Sequence, residues 1–202
     1  MRRIKTLLAL VFICSSLPAL GGDNGSSNFK IGIGGGLNAG YTTSFESENL
    51  FQLDSYSGFF IGPQVQLNLT DCLGIGSALF LQKDELSFGF LGDDIALTSL
   101  QIPVNLSLAF FRSDVISLLM EAGPQFSYRA SEKKVQYDTG TLTFADYTSS
   151  INIGVVAEVA DAVRLGARVN LPINAFADIK DAVLDSRTFK MSTLQITAAI
   201  LF

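Results

Sequence analysis

Histidine is missing from all 202 residues. Its absence removes Ser-His-Asp catalysis, the usual imidazole general base and the commonest metal ligand. Tryptophan is missing too, so an aromatic belt at a membrane surface would have to be built from Phe and Tyr. The two cysteines are Cys14 and Cys72. Cys14 falls inside an N-terminal leader, which leaves one thiol and no intramolecular disulfide. Basic runs are absent beyond the extreme N-terminus and the formal net charge is -5, which argues against a nucleic-acid partner. Although 48% of the residues are hydrophobic, no apolar run beyond the leader approaches the ~20 residues a transmembrane helix needs. High hydropathy without such a run points to apolar side chains spread along alternating strands.

The leader has the build of an export signal. Arg2, Arg3 and Lys5 give a positive start, Leu7 to Ile13 an apolar stretch, and Ala19-Leu20-Gly21 the small residues at a cleavage site. Residues 1–21 are therefore expected to be removed, 22–28 to form a Gly/Ser/Asn-rich spacer, and 29–202 to form one domain. A lipoprotein with Cys14 acylated is the competing reading. Ile13 directly before it is bulkier than such a site usually tolerates.

The C-terminal residues show the pattern that governs the rest. Phe202, Ile200, Ala198, Ile196 and Leu194 alternate with Thr197, Gln195 and Thr193, as in a strand with one apolar and one polar face. Eight such segments of about 10 to 14 residues are legible, long enough to cross a bilayer when tilted. They run Phe29 to Tyr41, Phe59 to Leu69, Leu73 to Gln82, Leu100 to Phe110, Val115 to Tyr128, Tyr147 to Val159, Val163 to Ile173 and about Thr188 to Phe202. The links alternate strictly in length. Thr70 to Cys72, Phe111 to Asp114 and Ala160 to Ala162 are short; Thr42 to Gly58, Lys83 to Ser99, Arg129 to Asp146 and Asn174 to Arg187 are long. Tight periplasmic turns, longer extracellular loops and an even strand count define an all-β, eight-stranded antiparallel up-and-down transmembrane β-barrel with both termini in the periplasm.

A soluble barrel would also alternate, but its polar face would be rich in Lys, Glu and Thr. Here that face is mostly Gly, Asn, Gln, Ser and Ala, which suits an eight-stranded interior filled by its own side chains. Tyr41, Phe59, Phe110, Phe126, Tyr128, Tyr147 and Phe202 fall near strand ends, where a belt would sit.

Several short motifs carry a family resemblance. They are Phe59-Phe60-Ile61-Gly62, Gln66 to Asp71 into Leu73-Gly74-Ile75, Leu79 to Lys83, Leu100-Gln101-Ile102-Pro103-Val104, Glu121-Ala122-Gly123-Pro124-Gln125 and Leu165 to Asn170. Together they resemble the PorT-like outer-membrane β-barrel family of Bacteroidetes over essentially the whole chain after the leader. The two proline motifs are the most specific, because proline inside a strand is expected only at an edge or bulge. The resemblance implies a barrel in the Gram-negative outer membrane, inserted by the barrel-assembly machinery. It implies no single activity, because the family has none in common.

Three constellations bear on chemistry. Asp84-Glu85, Asp93-Asp94 and Asp178 with Asp181 and Asp185 could hold a cation through oxygen ligands, but none has a known metal-loop spacing and a solvated loop face is the simpler account. Gly32-Ile33-Gly34-Gly35-Gly36 superficially suggests a phosphate loop, yet it alternates as a strand and no Lys-Ser/Thr follows. Glu121, Glu158, Arg164 and Arg168 all fall on the inward face and are expected to form an ionic network in the lumen, Glu158 with Arg164 and Glu121 near Arg168. Leu194, Ile196, Ile200 and Phe202 are the expected assembly signal. No enzyme, cofactor or nucleic-acid partner is implied. The expected protein is a monomeric, non-enzymatic outer-membrane barrel with lipid around it and a structural, envelope-interaction or surface-contact role. A narrow porin-like channel and a soluble periplasmic ligand-binding barrel are the alternatives.

Overall fold

The computed structural model describes residues 28–42, 53–88, 94–131, 134–137, 140–181 and 187–202. The expected signal peptide, most of the expected spacer, Asp93 and Asp185 lie outside these residues. In chain order the strands are β1 (Phe29–Thr42), β2 (Leu53–Asn68), β3 (Leu73–Ala78), β4 (Phe80–Phe88), β5 (Ile95–Arg112), β6 (Ile116–Arg129), β7 (Lys134–Tyr137), β8 (Gly140–Phe144), β9 (Tyr147–Val159), β10 (Val163–Pro172), β11 (Ala177–Asp181), β12 (Arg187–Phe189) and β13 (Met191–Leu201).

One sheet closes on itself. β1 pairs with both β2 and β13, and the ring continues antiparallel through β10, β9, β6 and β5 to β3 and β4. β3 and β4 are successive halves of one strand, so eight strands complete the ring. Closure leaves no strand edge in hydrocarbon, where an unpaired amide would be costly. The side chains sort as the alternation requires. Ile33, Leu37, Val104, Leu106, Ile153, Val155, Ile196 and Ile200 are exposed outward, whereas Asn38, Gln66, Asn105, Asn152 and Gln195 are buried inward. Outward Phe59, Tyr128 and Tyr147 ring one end, with Tyr128 and Tyr147 in contact at 5.1 Å between centroids; Phe110, Phe111 and Phe202 ring the other.

The break between β3 and β4 has a cause in the neighbouring strands. Leu79 lies opposite Pro63 of β2, and Pro103 of β5 falls opposite its neighbour Ala78; neither proline has an N–H to offer the ladder. Leu79 still donates its own N–H to the Pro63 carbonyl at 3.0 Å. The β5–β6 ladder is likewise interrupted between the pairs Pro103↔Gln125 and Leu106↔Ala122, opposite Pro124 and Gly123. Gly123 accommodates this gap, since a Cβ there would lie 1.9 Å from the Val104 carbonyl oxygen. Expected at an edge or bulge, the prolines thus take interruptions within a closed ring.

At the extracellular end the strands run further than expected. β2 starts at Leu53, β4 continues to Phe88 and β5 begins at Ile95, so much of the expected loops Thr42 to Gly58 and Lys83 to Ser99 is strand. The period of two persists there, but its polarity inverts: Lys83 and Glu85 face outward while Tyr56, Leu86 and Leu97 are buried inside. Outside the bilayer the exterior is water, so apolar groups turn inward.

What they meet is a second sheet, of order β12-β11-β8-β7, built from the expected loops Arg129 to Asp146 and Asn174 to Arg187 and the residues just after them. Leu142, Phe144 and Ala177 of this sheet pack with Tyr56, Leu86, Leu97 and Met191 into a buried apolar cluster over the barrel mouth. The expected eighth segment is correspondingly split. Its first residues, Thr188 and Phe189, pair with β11 in this cap together with Arg187 of the expected loop, and only Met191–Leu201 close the barrel.

The inside/outside map makes a direct prediction. Val104 lies at the middle of β5 and faces outward, so Val104→Arg places a charge among lipid chains and is expected to cost about 2 to 4 kcal/mol, as measured by urea unfolding in vesicles. Val104→Thr should cost much less, and equal losses would refute the assignment.

Candidate functional site

The lumen holds three layers of polar side chains. At the periplasmic end Arg164 of β10 sits beside its cross-strand partner Glu158 of β9, Nε to Oε2 at 3.2 Å. The same guanidinium meets Glu121 of β6, Nη2 to Oε1 at 2.6 Å, and donates from Nη1 to Gln66 Oε1 at 3.2 Å. Lys30 of β1 reaches Glu158 at 3.3 Å and donates to the Asp161 carbonyl at 2.8 Å. Two carboxylates and two cations therefore neutralise one another where bulk water is scarce. The turn supplying that carbonyl has positive φ at both Ala160 (50°) and Asp161 (56°). The Ala162 N–H closes this tight turn onto the Val159 carbonyl at 3.1 Å, and the three residues 160–162 between the partners Val159 and Val163 set the register that aligns Glu158 with Arg164.

Arg168 occupies the next layer, near Glu121 as expected, but makes no ion pair with it. Its Nε donates to Gln195 Oε1, its cross-strand partner on β13, at 2.6 Å. Its guanidinium lies 5.6 and 5.9 Å from the rings of Phe60 and Phe80, themselves in contact at 5.0 Å. Gly154 stands between Glu121 and Arg168 in the register, so they share a level but not a strand contact. Arg164 takes both carboxylates instead. Lys30 was the missed member; its inward position on β1 was legible, but its distance from β9 in sequence hid the contact.

Asp84, expected on a solvated loop, is buried in the third layer. Asn38 donates to its Oδ1 at 3.2 Å, and Gln82 donates to Oδ2 and, at 3.1 Å, to the Tyr56 hydroxyl. This layer lies outside the membrane-spanning segments: Lys83 and Glu85 flank Asp84 with outward charges, and Arg129 and Asp146 come after the Tyr128–Tyr147 belt. Burial pushes the Asp84 carboxyl up to about 6 against the opposing hydrogen bonds from Gln82, Asn38 and Tyr56 and the nearby Arg129 charge. Burial also raises the Tyr56 hydroxyl well above its ordinary value, and lowers Arg129 to about 10, which leaves it cationic.

Arg129 is 6% exposed, with its guanidinium 4.7 Å from the rings of both Phe144 and Phe176. The chamber beneath measures about 60 Å³ and is lined by Tyr56, Asp84, Gln101, Gln125, Arg129 and Asn170 among others. A second cavity of about 50 Å³ lies lower, beside Glu121, Arg164 and Arg168.

Leu194, Ile196, Ile200 and Phe202 all face outward on or just after β13. Cys72 is exposed in the turn before β3 and free. Among the described residues no three His, Cys, Asp or Glu side chains gather as metal ligands would.

A closed antiparallel ring of eight strands with lipid-compatible side chains outside and a polar interior defines an integral outer-membrane barrel. Residues 20–178 match the outer membrane protein beta-barrel domain family, and the chain belongs to it. It is a protein of the Gram-negative outer membrane, in contact with its lipid. No curated protein matches the chain.

Among solved structures, OprG from Pseudomonas aeruginosa is 12% identical, over 86% of this chain and 95% of that one, with a TM-score of 0.48. Ail of Yersinia pestis is 11% identical over 86% and 98%, TM-score 0.43. The outer membrane protease OmpT from Escherichia coli is 12% identical over 91% and 99%, TM-score 0.41. Likeness this weak says nothing about activity.

Proposed function

We propose that this is a non-enzymatic, monomeric barrel whose lumen is a structural plug and whose extracellular cap makes envelope or surface contacts. The observation that carries the reading is the filled interior: the Arg164 network and the Arg168–Phe60–Phe80 stack lie in series under a cap seated on the mouth. Eight strands leave an interior just wide enough for such a filling. The lack of histidine in the chain supports the non-enzymatic reading. The Pro103 and Pro124 motifs support placing the chain in the PorT-like group of Bacteroidetes, with export by a cleaved signal over residues 1–21. Insertion by the barrel-assembly machinery, reading Leu194, Ile196, Ile200 and Phe202, belongs to the same proposal.

Planar-bilayer recording of the refolded protein tests it. The expected trace is flat across the voltage range. Steady ion-conducting steps that grow when Arg168 is replaced by Ala would instead establish the narrow porin-like channel.

A further inference from the structure

The chamber under the cap is built beyond what a plug requires. Arg129 Nε and Nη1 are buried and have no hydrogen-bond partner among the described residues, and the same holds for Gln101 Oε1, Gln125 Oε1 and Asn170 Oδ1. All four residues line the one space of about 60 Å³. A buried donor or acceptor left unmade is costly, and a cationic one more so. We infer that this chamber is a binding site for a small monocarboxylate that also carries a hydroxyl or amino group, with Arg129 holding the carboxylate.

The chemistry narrows the ligand in three steps. Phe144 and Phe176, whose rings lie 5.8 Å apart and each 4.7 Å from the guanidinium carbon, flank the same side of it, which leaves its unmade Nε and Nη1 donors as the open approach. A planar carboxylate suits such donors. Asp84 on the same wall would oppose a dianion, so one negative charge is the most the site tolerates. The amide groups of Gln101, Gln125 and Asn170 each present an acceptor and a donor, and would take the hydroxyl or amine. Size sets the last limit. One water occupies about 10 to 15 Å³ of such a space, so the chamber has room for about four to six heavy atoms.

Titration of Asp84 makes the site respond to pH. The groups facing it are Tyr56 from β2 and Arg129 from β6, with Asp146 beyond Arg129; Lys83 and Glu85 on its own strand point outward. Below about pH 6 Asp84 is largely protonated and no longer opposes an anion, so the ligand is held more tightly there. The site lies on the extracellular side of the Arg168 stack, so it stands whether or not the barrel conducts.

Calorimetric titration of the full-length refolded protein with glycolate is the test, with inorganic phosphate and choline as probes of other charge. Glycolate should bind saturably at one site and more tightly at about pH 5 than at about pH 8. Phosphate and choline should give no saturable heat. Arg129→Gln should abolish binding, Arg112→Gln at the periplasmic end should leave it unchanged, and Asp84→Asn should tighten it about tenfold at neutral pH and remove the pH dependence. Absence of saturable glycolate binding in the wild type overturns the proposal, as does equal binding of all three probes or a folded Arg129→Gln protein that binds normally. If Arg129→Gln does not fold, Asp84→Asn decides the matter, because an unchanged affinity and pH profile would show that glycolate does not sit in this chamber.

Discussion

Replacing Arg164 by Met is expected to destabilise the barrel by about 3 to 5 kcal/mol, the range for removing one partner of a buried charge cluster. The guanidinium is the common partner of Glu121 at 2.6 Å and Glu158 at 3.2 Å, and it also satisfies Gln66. Lys30 remains for Glu158, so the stranded charge is chiefly that of Glu121. Adding Glu121→Gln to Arg164→Met should therefore recover a substantial part of the loss, with a coupling of about 0.5 to 3 kcal/mol. Arg168→Met is the informative contrast. It removes a hydrogen bond to Gln195 and contact with two rings but leaves Glu121 its ion pair with Arg164, so its cost should be smaller and its coupling to Glu121 weaker than that of Arg164. Urea unfolding in lipid vesicles provides the cycle. Coupling of Glu121 to Arg168 and not to Arg164 would show that the lumen is arranged otherwise.

The difference between these arginines shows where sequence reasoning stops. Membership of the inward face is a local property, set by a period of two, and Glu121, Glu158, Arg164, Arg168 and Lys30 were all legible as inward. The Glu158–Arg164 contact was legible too, since a short turn joins their strands. Glu121–Arg164 and Lys30–Glu158 depend on how far side chains reach across a closed ring, and the stagger between strands is not written in any one of them. The cap was hidden for another reason. Its residues fall in the expected loops Lys83 to Ser99 and Arg129 to Asp146, because apolar side chains alternating outward mark a strand only where lipid is the solvent. Above the Tyr128–Tyr147 belt the solvent is water, and Leu86, Leu97, Leu142 and Phe144 obey the opposite rule. Asp84 was misread with them, because a charged residue in a presumed loop offers no sign that Gln82, Asn38 and Tyr56 converge on it.

Loss of the closing strand should have the largest effect of all. Phe202 donates its N–H to the Ile31 carbonyl at 2.7 Å and accepts from the Ile31 N–H at 3.0 Å, so the last residue joins the two ends of the ring. Deleting it removes both bonds at the seam and the outermost aromatic side chain of the periplasmic belt. The expected result is a severe drop in the heat-modifiable, membrane-embedded protein recovered from an outer-membrane fraction at matched expression. Its size should exceed what the lost contact area would produce, because an unpaired seam exposes backbone to hydrocarbon at several kcal/mol per group. Ile196→Asn with Ile200→Asn attacks the same strand differently. Both side chains face outward, at 54% and 59% exposure, so the amides would meet lipid while every backbone bond of β13 could still form. If the truncated chain fails and the double Asn variant inserts normally, the seam matters and the outward face does not. If both accumulate like wild type, neither the closure nor the face assignment of β13 holds, and the proposed assembly signal falls with them.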